Sequence, residues 1–243
     1  MSRRTLFALA LTALCLACTT APAAAQEVDR ARAAAEIESL REQIRVREAH
    51  LLSVPAEDRE RYAGVLAQSS TGLVRLLPRE KWDGVLSMRG GGSYYSFKRL
   101  THEYGSGSEI SLERGRFGTG FGGADFGFLV SLGDVPLEGV TAETEGLGFM
   151  SSYSPPSEEP AARRHGMEFH PGRLEGSSTY LRSLPAVAGK TYALRAVSYE
   201  RADVLVVFRV VRQDSDGSVV LLWKILREFP VPHLARAASA AGS

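Results

Sequence analysis

Cysteine is almost missing from this sequence, since Cys15 and Cys18 are the only two in 243 residues. Both lie in the first 25 residues, which we expect to be removed before the protein works. A mature chain without cysteine has no disulfides, no thiolate ligands for metals and no cysteine nucleophile. We therefore expect the mature domain to depend on its hydrophobic core for stability.

The first 25 residues have the three parts of a secretory signal peptide. Arg3 and Arg4 supply positive charge, and residues 6–17 form an apolar stretch too short to cross a bilayer as a helix. Ala23–Ala25 then offers a small-residue cleavage site. The pattern predicts a periplasmic or secreted protein. Two alternatives stay open, which are retention of the segment as a membrane anchor and cleavage with lipid attachment at Cys18.

An excess of charge of either sign is missing as well. The 29 basic residues include Arg3 and Arg4, so cleavage leaves 27 basic residues against 28 acidic ones. A near-neutral chain gives no reason to expect nucleic acid or an anionic membrane surface as a partner. Hydrophobic residues make up 44% of the chain, which is typical of a soluble globular protein. We expect no transmembrane span in the mature protein.

Glycine and proline are missing from residues 27–54, and this segment predicts a long helix. Its apolar residues recur every three or four positions, with Arg47 interrupting the series. The members of the stripe are Ala33, Ile37, Leu40, Ile44, Leu51 and Val54. So narrow a stripe is typical of a coiled-coil seam. The helix over 27–54 either makes the protein a homo-oligomer or packs on its own domain, and the sequence leaves both open.

The character of the chain changes near Trp82, where glycine becomes frequent and short alternating apolar runs replace the helical period. Val204–Val211 is nearly all apolar and β-branched, which predicts a central strand covered on both faces. Asp214–Gly217 predicts a hairpin turn to the next strand. Further strands are predicted at 109–117, 126–132, 191–199 and 219–226, with weaker candidates at 85–88, 94–104 and 147–153. A proline-rich loop is predicted over 154–164.

Together these patterns predict an α+β fold dominated by β. An amphipathic, coiled-coil-like helix is predicted over residues 26–54. A shorter helical segment follows over residues 55–78 and ends in a helical turn at Leu73–Leu77. An antiparallel β-sandwich or barrel of about eight strands follows over residues 79–234. Residues 235–243 are predicted to be a disordered tail.

Aromatic side chains supply the first candidate site. Tyr94, Tyr95, His102 and Tyr104 place rings beside hydrogen-bonding groups, an arrangement that suits carbohydrate because a ring stacks on the apolar face of a sugar. The same rings would equally well fill a sandwich core.

Gly118–Gly123 matches the glycine pattern of dinucleotide loops, but that motif needs a helix after it, and here the following residues alternate like a strand.

His165, Glu168 and His170 supply the second candidate site. Glu168 and His170 are two residues apart and would share one face of a strand, and imidazole with carboxylate suits zinc. A metal-assisted hydrolase is therefore one hypothesis, although the sequence contains no complete catalytic motif. Asp125 and Asp203 are candidates for buried acids, or else for turn and strand-end residues.

Three functions follow from the sequence. The leading one is a non-catalytic exported β-domain whose helix mediates assembly or acts as a spacer, without a cofactor. The first alternative is a module that binds carbohydrate or another small envelope ligand through Tyr94, Tyr95, His102 and Tyr104. The metal-assisted hydrolase is the second alternative. An envelope glycan or an envelope protein is the expected partner, in addition to the protein's own copies.

Overall fold

The computed structural model describes residues 21–102 and 104–235. The chain divides into two compact units, with the boundary between His50 and Leu51. Cys15, Cys18 and most of the predicted signal peptide lie outside the described residues, as does the predicted tail after residue 235.

The described part of the first unit forms a helix, α1 (Ala21–Leu51), which overlaps the predicted helix over 27–54 but begins inside the predicted signal peptide. It stops short of Val54, because a residue that precedes a proline disfavours the helical conformation and Pro55 follows. The side chains of Ile37, Leu40 and Ile44 are 49%, 51% and 47% exposed. Within the described part of the chain, no helix combines the length and the apolar character needed to traverse a bilayer.

The second unit contains five short helices and eleven strands in its described part. The helices are α2 (Ala56–Arg61), α3 (Ala63–Leu66), α4 (Arg79–Trp82), α5 (Gly148–Ser152) and α6 (Glu159–Glu168). The strands are β1 (Thr71–Leu76), β2 (Tyr94–Tyr95), β3 (Ile110–Glu113), β4 (Arg116–Gly118), β5 (Phe126–Gly133), β6 (Arg173–Glu175), β7 (Ser178–Tyr180), β8 (Ser183–Pro185), β9 (Thr191–Ser198), β10 (Ala202–Gln213) and β11 (Val219–Glu228).

The strands form two main antiparallel sheets. A five-stranded sheet has the order β1-β11-β10-β9-β5, and a four-stranded sheet has the order β2-β3-β4-β8. A separate hairpin joins β6 to β7. The predicted antiparallel, β-dominated fold is confirmed, and the described strands form a sandwich-like arrangement without a closed barrel.

Two layers of core cover the two faces of the five-stranded sheet. On one face, Leu194, Val206 and Phe208 share a cluster with side chains of the four-stranded sheet, such as Leu112 and Phe117. On the other face, residues of β5 pack against the helices. That second cluster includes Phe126, Phe128, Val130, Met150, Ala162 and Phe169. The predicted central strand, which is now part of β10, is therefore confirmed as covered on both faces.

Leu73–Leu77 was expected to end a helical segment over 55–78, and that prediction is wrong. Residues 71–76 form the edge strand β1, which pairs antiparallel with β11. Val74 and Leu76 face the sandwich core, whereas Leu73 faces the helical side. A run this short fits both the helical and the strand period, and pairing with β11 decides between them.

Some strand predictions on the loops are also wrong. Residues 85–88 form a turn and bends, and among the described residues of the segment 94–104 the strand is limited to Tyr94–Tyr95. The segment 147–153 contains helix α5, and the predicted proline-rich loop over 154–164 contains the first half of α6. Pro160 lies in the first turn of α6, where a proline is compatible with a helix because the missing N–H would have no helical partner.

A buried ion pair joins the central hairpin to the helical layer. The Arg195 Nε and Nη2 atoms lie 2.5 Å and 2.8 Å from the two Asp203 carboxylate oxygens, and both side chains are 1% exposed. Arg195 Nη1 also donates to the carbonyl oxygen of Met150 in α5 at 2.6 Å. Two charges can be buried so deeply only when each satisfies the other. The sequence left open whether Asp203 is a buried acid or an ordinary strand-end residue, and the structure shows that it is buried.

We predict that Asp203→Asn destabilises the domain strongly, by about 3–5 kcal/mol, because it leaves the Arg195 charge buried without a counter-charge. Asp134→Asn is the matched control. Asp134 also pairs with an arginine, Arg209, but its side chain is 68% exposed, so its loss should cost less than about 1 kcal/mol. Urea unfolding of both variants measures the difference. Equal effects would show that burial of the pair does not matter.

Candidate functional site

The two tyrosines of β2 point to opposite sides, as neighbouring residues of a strand do. The Tyr95 ring meets Phe97 and His102 edge-on, at centroid distances of 5.4 Å and 5.3 Å, and joins the sandwich core. The Tyr94 ring instead meets Tyr104 at 4.8 Å and Phe121 at 5.0 Å. The predicted aromatic set is therefore divided, and only Tyr94 and Tyr104 belong to the second group.

His102 is a structural residue here. Its Nε2 donates to the carbonyl oxygen of Arg75 at 2.8 Å. Burial lowers its pKa below the ordinary value, which keeps the ring neutral at pH 7. The ring helps to hold the segment after β2 against the edge strand β1, and it has no free nitrogen donor to offer a ligand.

Arginine side chains cover much of the Tyr94–Tyr104 pair. The Arg89 guanidinium lies 4.0 Å from the centre of the Tyr104 ring, and Arg79 lies 5.8 Å and 5.7 Å from the Tyr94 and Tyr104 rings. Tyr94 is 7% exposed. Tyr104 and Phe121 are half-buried, so both rings are partly accessible to solvent.

A cleft of about 490 Å³ opens beside these rings, between the β3–β4 hairpin and the start of β8. We call it the arginine cleft. Its wall contains three arginines, a histidine, two serines and aromatic rings. The wall also contains one glutamate, and the polar and aromatic lining residues include Tyr94, Ser111, Glu113, Arg114, Arg116, Phe121, His170, Arg182 and Ser183.

Strand pairing positions the arginines of this cleft. Gly118 of β4 pairs with Ser183 of β8, and Arg116 donates to the Ser183 hydroxyl at 3.1 Å and to its carbonyl oxygen at 3.0 Å. Arg182 donates to the carbonyl oxygen of Thr119 at 2.9 Å and to His170 Nε2 at 2.7 Å. The guanidinium groups are therefore held by neutral acceptors.

Among the described residues, no carboxylate forms an ion pair with the guanidinium group of Arg114, Arg116 or Arg182. The Glu80 carboxylate accepts from the backbone N–H of Arg114 at 2.9 Å. The acid nearest to them in the lining, Glu113, lies 3.3 Å from Arg79 instead. Uncompensated guanidinium groups in a concave site attract anions, because the walls exclude part of the screening water.

A second cleft, of about 530 Å³, adjoins the arginine cleft and shares Phe121, His170 and Arg182 with it. The loop 120–125 and one side of α6 form its remaining walls. Gly166 lets α6 approach β5 closely, since a Cβ there would lie 2.9 Å from the Phe126 side chain.

The Gly118–Gly123 segment is followed by strand β5 and not by a helix, which confirms that it is not built like a dinucleotide loop.

The candidate metal ligands have separate partners. His165 Nδ1 lies 2.9 Å from the Tyr153 hydroxyl, and Glu168 accepts from Arg173 at 2.7 Å. His170 accepts from Arg182. Glu168 also lies on α6, so the strand geometry assumed for it is wrong. No group of three potential metal ligands occurs among the described residues, which include all of these side chains.

Sequence reasoning found Tyr94 and His170 of the arginine cleft but missed its arginines and Phe121. Phe121 was visible only as one ring in a glycine-rich run. Arg116 and Arg182 gave no signal, because they meet through the pairing of β4 with β8, which are far apart in the sequence. The chain matches no protein-family model, no curated protein and no solved structure. The function of the site therefore has to follow from its geometry and its charge.

Glu109 holds the turn behind the aromatic cluster, and the sequence did not single it out. It is 5% exposed. Its carboxylate accepts from the Phe97 N–H at 2.6 Å and from the Ser96 hydroxyl at 3.2 Å. Burial raises the pKa of Glu109 to about 6, and these hydrogen bonds oppose the rise. The carboxylate fixes the chain directly after Tyr94–Tyr95.

We predict that Glu109 makes the domain less stable as pH rises from about 4.5 to about 6. Across that window the folded state binds more protons than the unfolded state, so the free energy of unfolding falls with increasing pH. The difference between the pKa of Glu109 in the folded and in the unfolded state corresponds to a change of about 2 kcal/mol in the free energy of unfolding. Glu109→Gln does not titrate and should lose that part of the pH dependence. Urea unfolding at a series of pH values tests this, and parallel curves for the two proteins would contradict it.

Proposed function

We propose that the β-rich domain is a non-catalytic β-sandwich binding module of an exported protein. Its ligand is a small envelope molecule with an anionic group beside an apolar face, as in an acidic sugar. The observation that carries this proposal is the arginine cleft, where Arg114, Arg116 and Arg182 form no ion pair with a carboxylate of the described residues and line the wall together with Phe121.

The chemistry of the lining favours an acidic sugar. A guanidinium group forms paired, charge-assisted hydrogen bonds with a carboxylate. The Phe121 ring supplies an apolar surface for the C–H face of a pyranose, and the hydroxyls of Ser111 and Ser183 match sugar hydroxyls. The acid of the lining, Glu113, is held by Arg79, so we assign the cleft to binding and not to acid–base catalysis.

We expect the domain to bind galacturonate and to bind galactose at least about tenfold more weakly, since the two sugars differ in the carboxylate and one charge-assisted contact contributes about 1.5–3 kcal/mol. Changing both Arg114 and Arg116 to Gln should remove this preference while leaving the fold intact, because both side chains are exposed. Isothermal titration calorimetry measures both effects.

Arg61→Gln is the control for that experiment. Arg61 is an exposed arginine of α2 that lies 5.5 Å from the Tyr62 ring and does not line the arginine cleft. It should bind galacturonate as the parent does. Equal affinity for galactose and galacturonate, or an unchanged affinity in the Arg114 and Arg116 double variant, would contradict the proposed anion site.

Self-association through α1 is a second proposed function. It is carried by the exposure of Ile37, Leu40 and Ile44, which lie on one stripe of the helix and are each about half exposed. Burial of apolar surface against another copy would stabilise such a stripe. In this proposal α1 forms a short coiled coil that brings together the binding modules of several copies.

We predict that Leu40→Asp and Ile44→Asp each lower the molar mass in solution to that of a monomer, because a charge in the seam is left without a partner on association. Val46→Asp is the matched control. Val46 is apolar and 60% exposed but lies outside the stripe, so this variant should keep the parent mass. Light scattering over a range of concentrations measures the mass. A parent protein that is monomeric throughout would contradict the proposal.

A further inference from the structure

We propose that two copies of α1 pair in parallel, as a two-stranded coiled coil. This inference rests on the self-association proposed above and adds its partner number and its direction. The apolar residues at the seam positions favour this number of strands, and the charges beside the seam favour this direction.

The spacing fixes the heptad positions. Leu40 is three positions after Ile37, and Ile44 is four positions after Leu40. The step from position a to position d is three residues and the step from d to a is four, so both isoleucines occupy a and Leu40 occupies d. Among parallel coiled coils, isoleucine at a with leucine at d favours two strands over three or four, so this pattern gives the partner number.

The flanking charges favour the same direction. In a parallel pair, position g of one helix lies near position e of the other, five residues further along. This places Glu36 of one copy beside Arg41 of the partner copy. Arg41 is available for that contact, because its ion pair with Glu38 is 3.4 Å long and both side chains are more than 70% exposed.

The antiparallel arrangement brings like charges together. An antiparallel pair that overlaps the whole stripe from Ala33 to Leu51 is centred on Glu42. The Arg41 side chains of the two helices would then lie side by side, and like charges at such positions destabilise a coiled coil.

Arg47 is the seam residue that opposes the parallel arrangement, because its two copies face each other at a d position. Its side chain is exposed, and its Nη1 donates to the Gln43 carbonyl oxygen at 3.2 Å. A long side chain of this kind keeps its charge in water while its stem covers the seam. We therefore expect a weak dimer that Arg47→Leu strengthens.

Disulfide trapping tests the direction. The full chain is prepared with Cys15 and Cys18 changed to Ser, and with Ile37→Cys, Arg47→Cys or Val46→Cys as the new cysteine. A parallel pair sets residue 37 opposite residue 37, within disulfide reach. An antiparallel pair separates the two copies of residue 37 by about 15 Å along the axis.

Mild oxidation of Ile37→Cys should give about fivefold or more covalent dimer than Val46→Cys, whose cysteine points away from the seam. In a mixture of Ile37→Cys with Arg47→Cys, each variant should link to itself. Mixed dimers in excess would overturn the parallel direction and leave self-association standing. If the parent has the mass of a monomer, and Ile37→Cys gives no more covalent dimer than Val46→Cys, then both the parallel direction and self-association are overturned.

Discussion

One buried ion pair fixes how the helical layer lies on the central sheet. Arg195 and Asp203 stand on neighbouring strands of the five-stranded sheet and are almost fully buried. A bidentate pair leaves one guanidinium nitrogen, and that nitrogen donates to the Met150 carbonyl oxygen in α5. This contact holds α5 against the sheet, since a buried charge that loses its partners is strongly destabilising.

The arginine cleft depends on that position. The chain that leaves α5 continues into α6 and then to Phe169, whose ring stacks on Phe128 of β5 at 4.2 Å. The Phe169 carbonyl oxygen accepts from the N–H of Arg182, and the next residue, His170, accepts from the Arg182 guanidinium. The core therefore sets the wall of the cleft, and within the described ranges the arginines of that wall form no ion pair with an acid.

The sequence predicts the parts of this fold that repeat a simple period. β10 was visible as a β-branched run and its turn to β11 as Asp214–Gly217, where Gly217 adopts a φ of +88°. Segments without a clear period were misassigned, as β1 and α5 show, because long-range pairing and packing decide them. Tyr94 and Tyr104 were found from their type. Arg116 and Arg182 were not, since nothing local connects residues that meet through β4 and β8.

Binding of an anionic ligand in the arginine cleft, as we propose it, can be tested by chemical-shift mapping, in which galacturonate is added to ¹⁵N-labelled protein and the backbone amide signals are followed. We expect saturable shifts confined to the residues around the cleft, from Arg114 to Phe121 and from Leu181 to Ser183. Shifts that cluster elsewhere, such as around Lys98 and Arg201 in a different cleft, or no shifts at all, would contradict it.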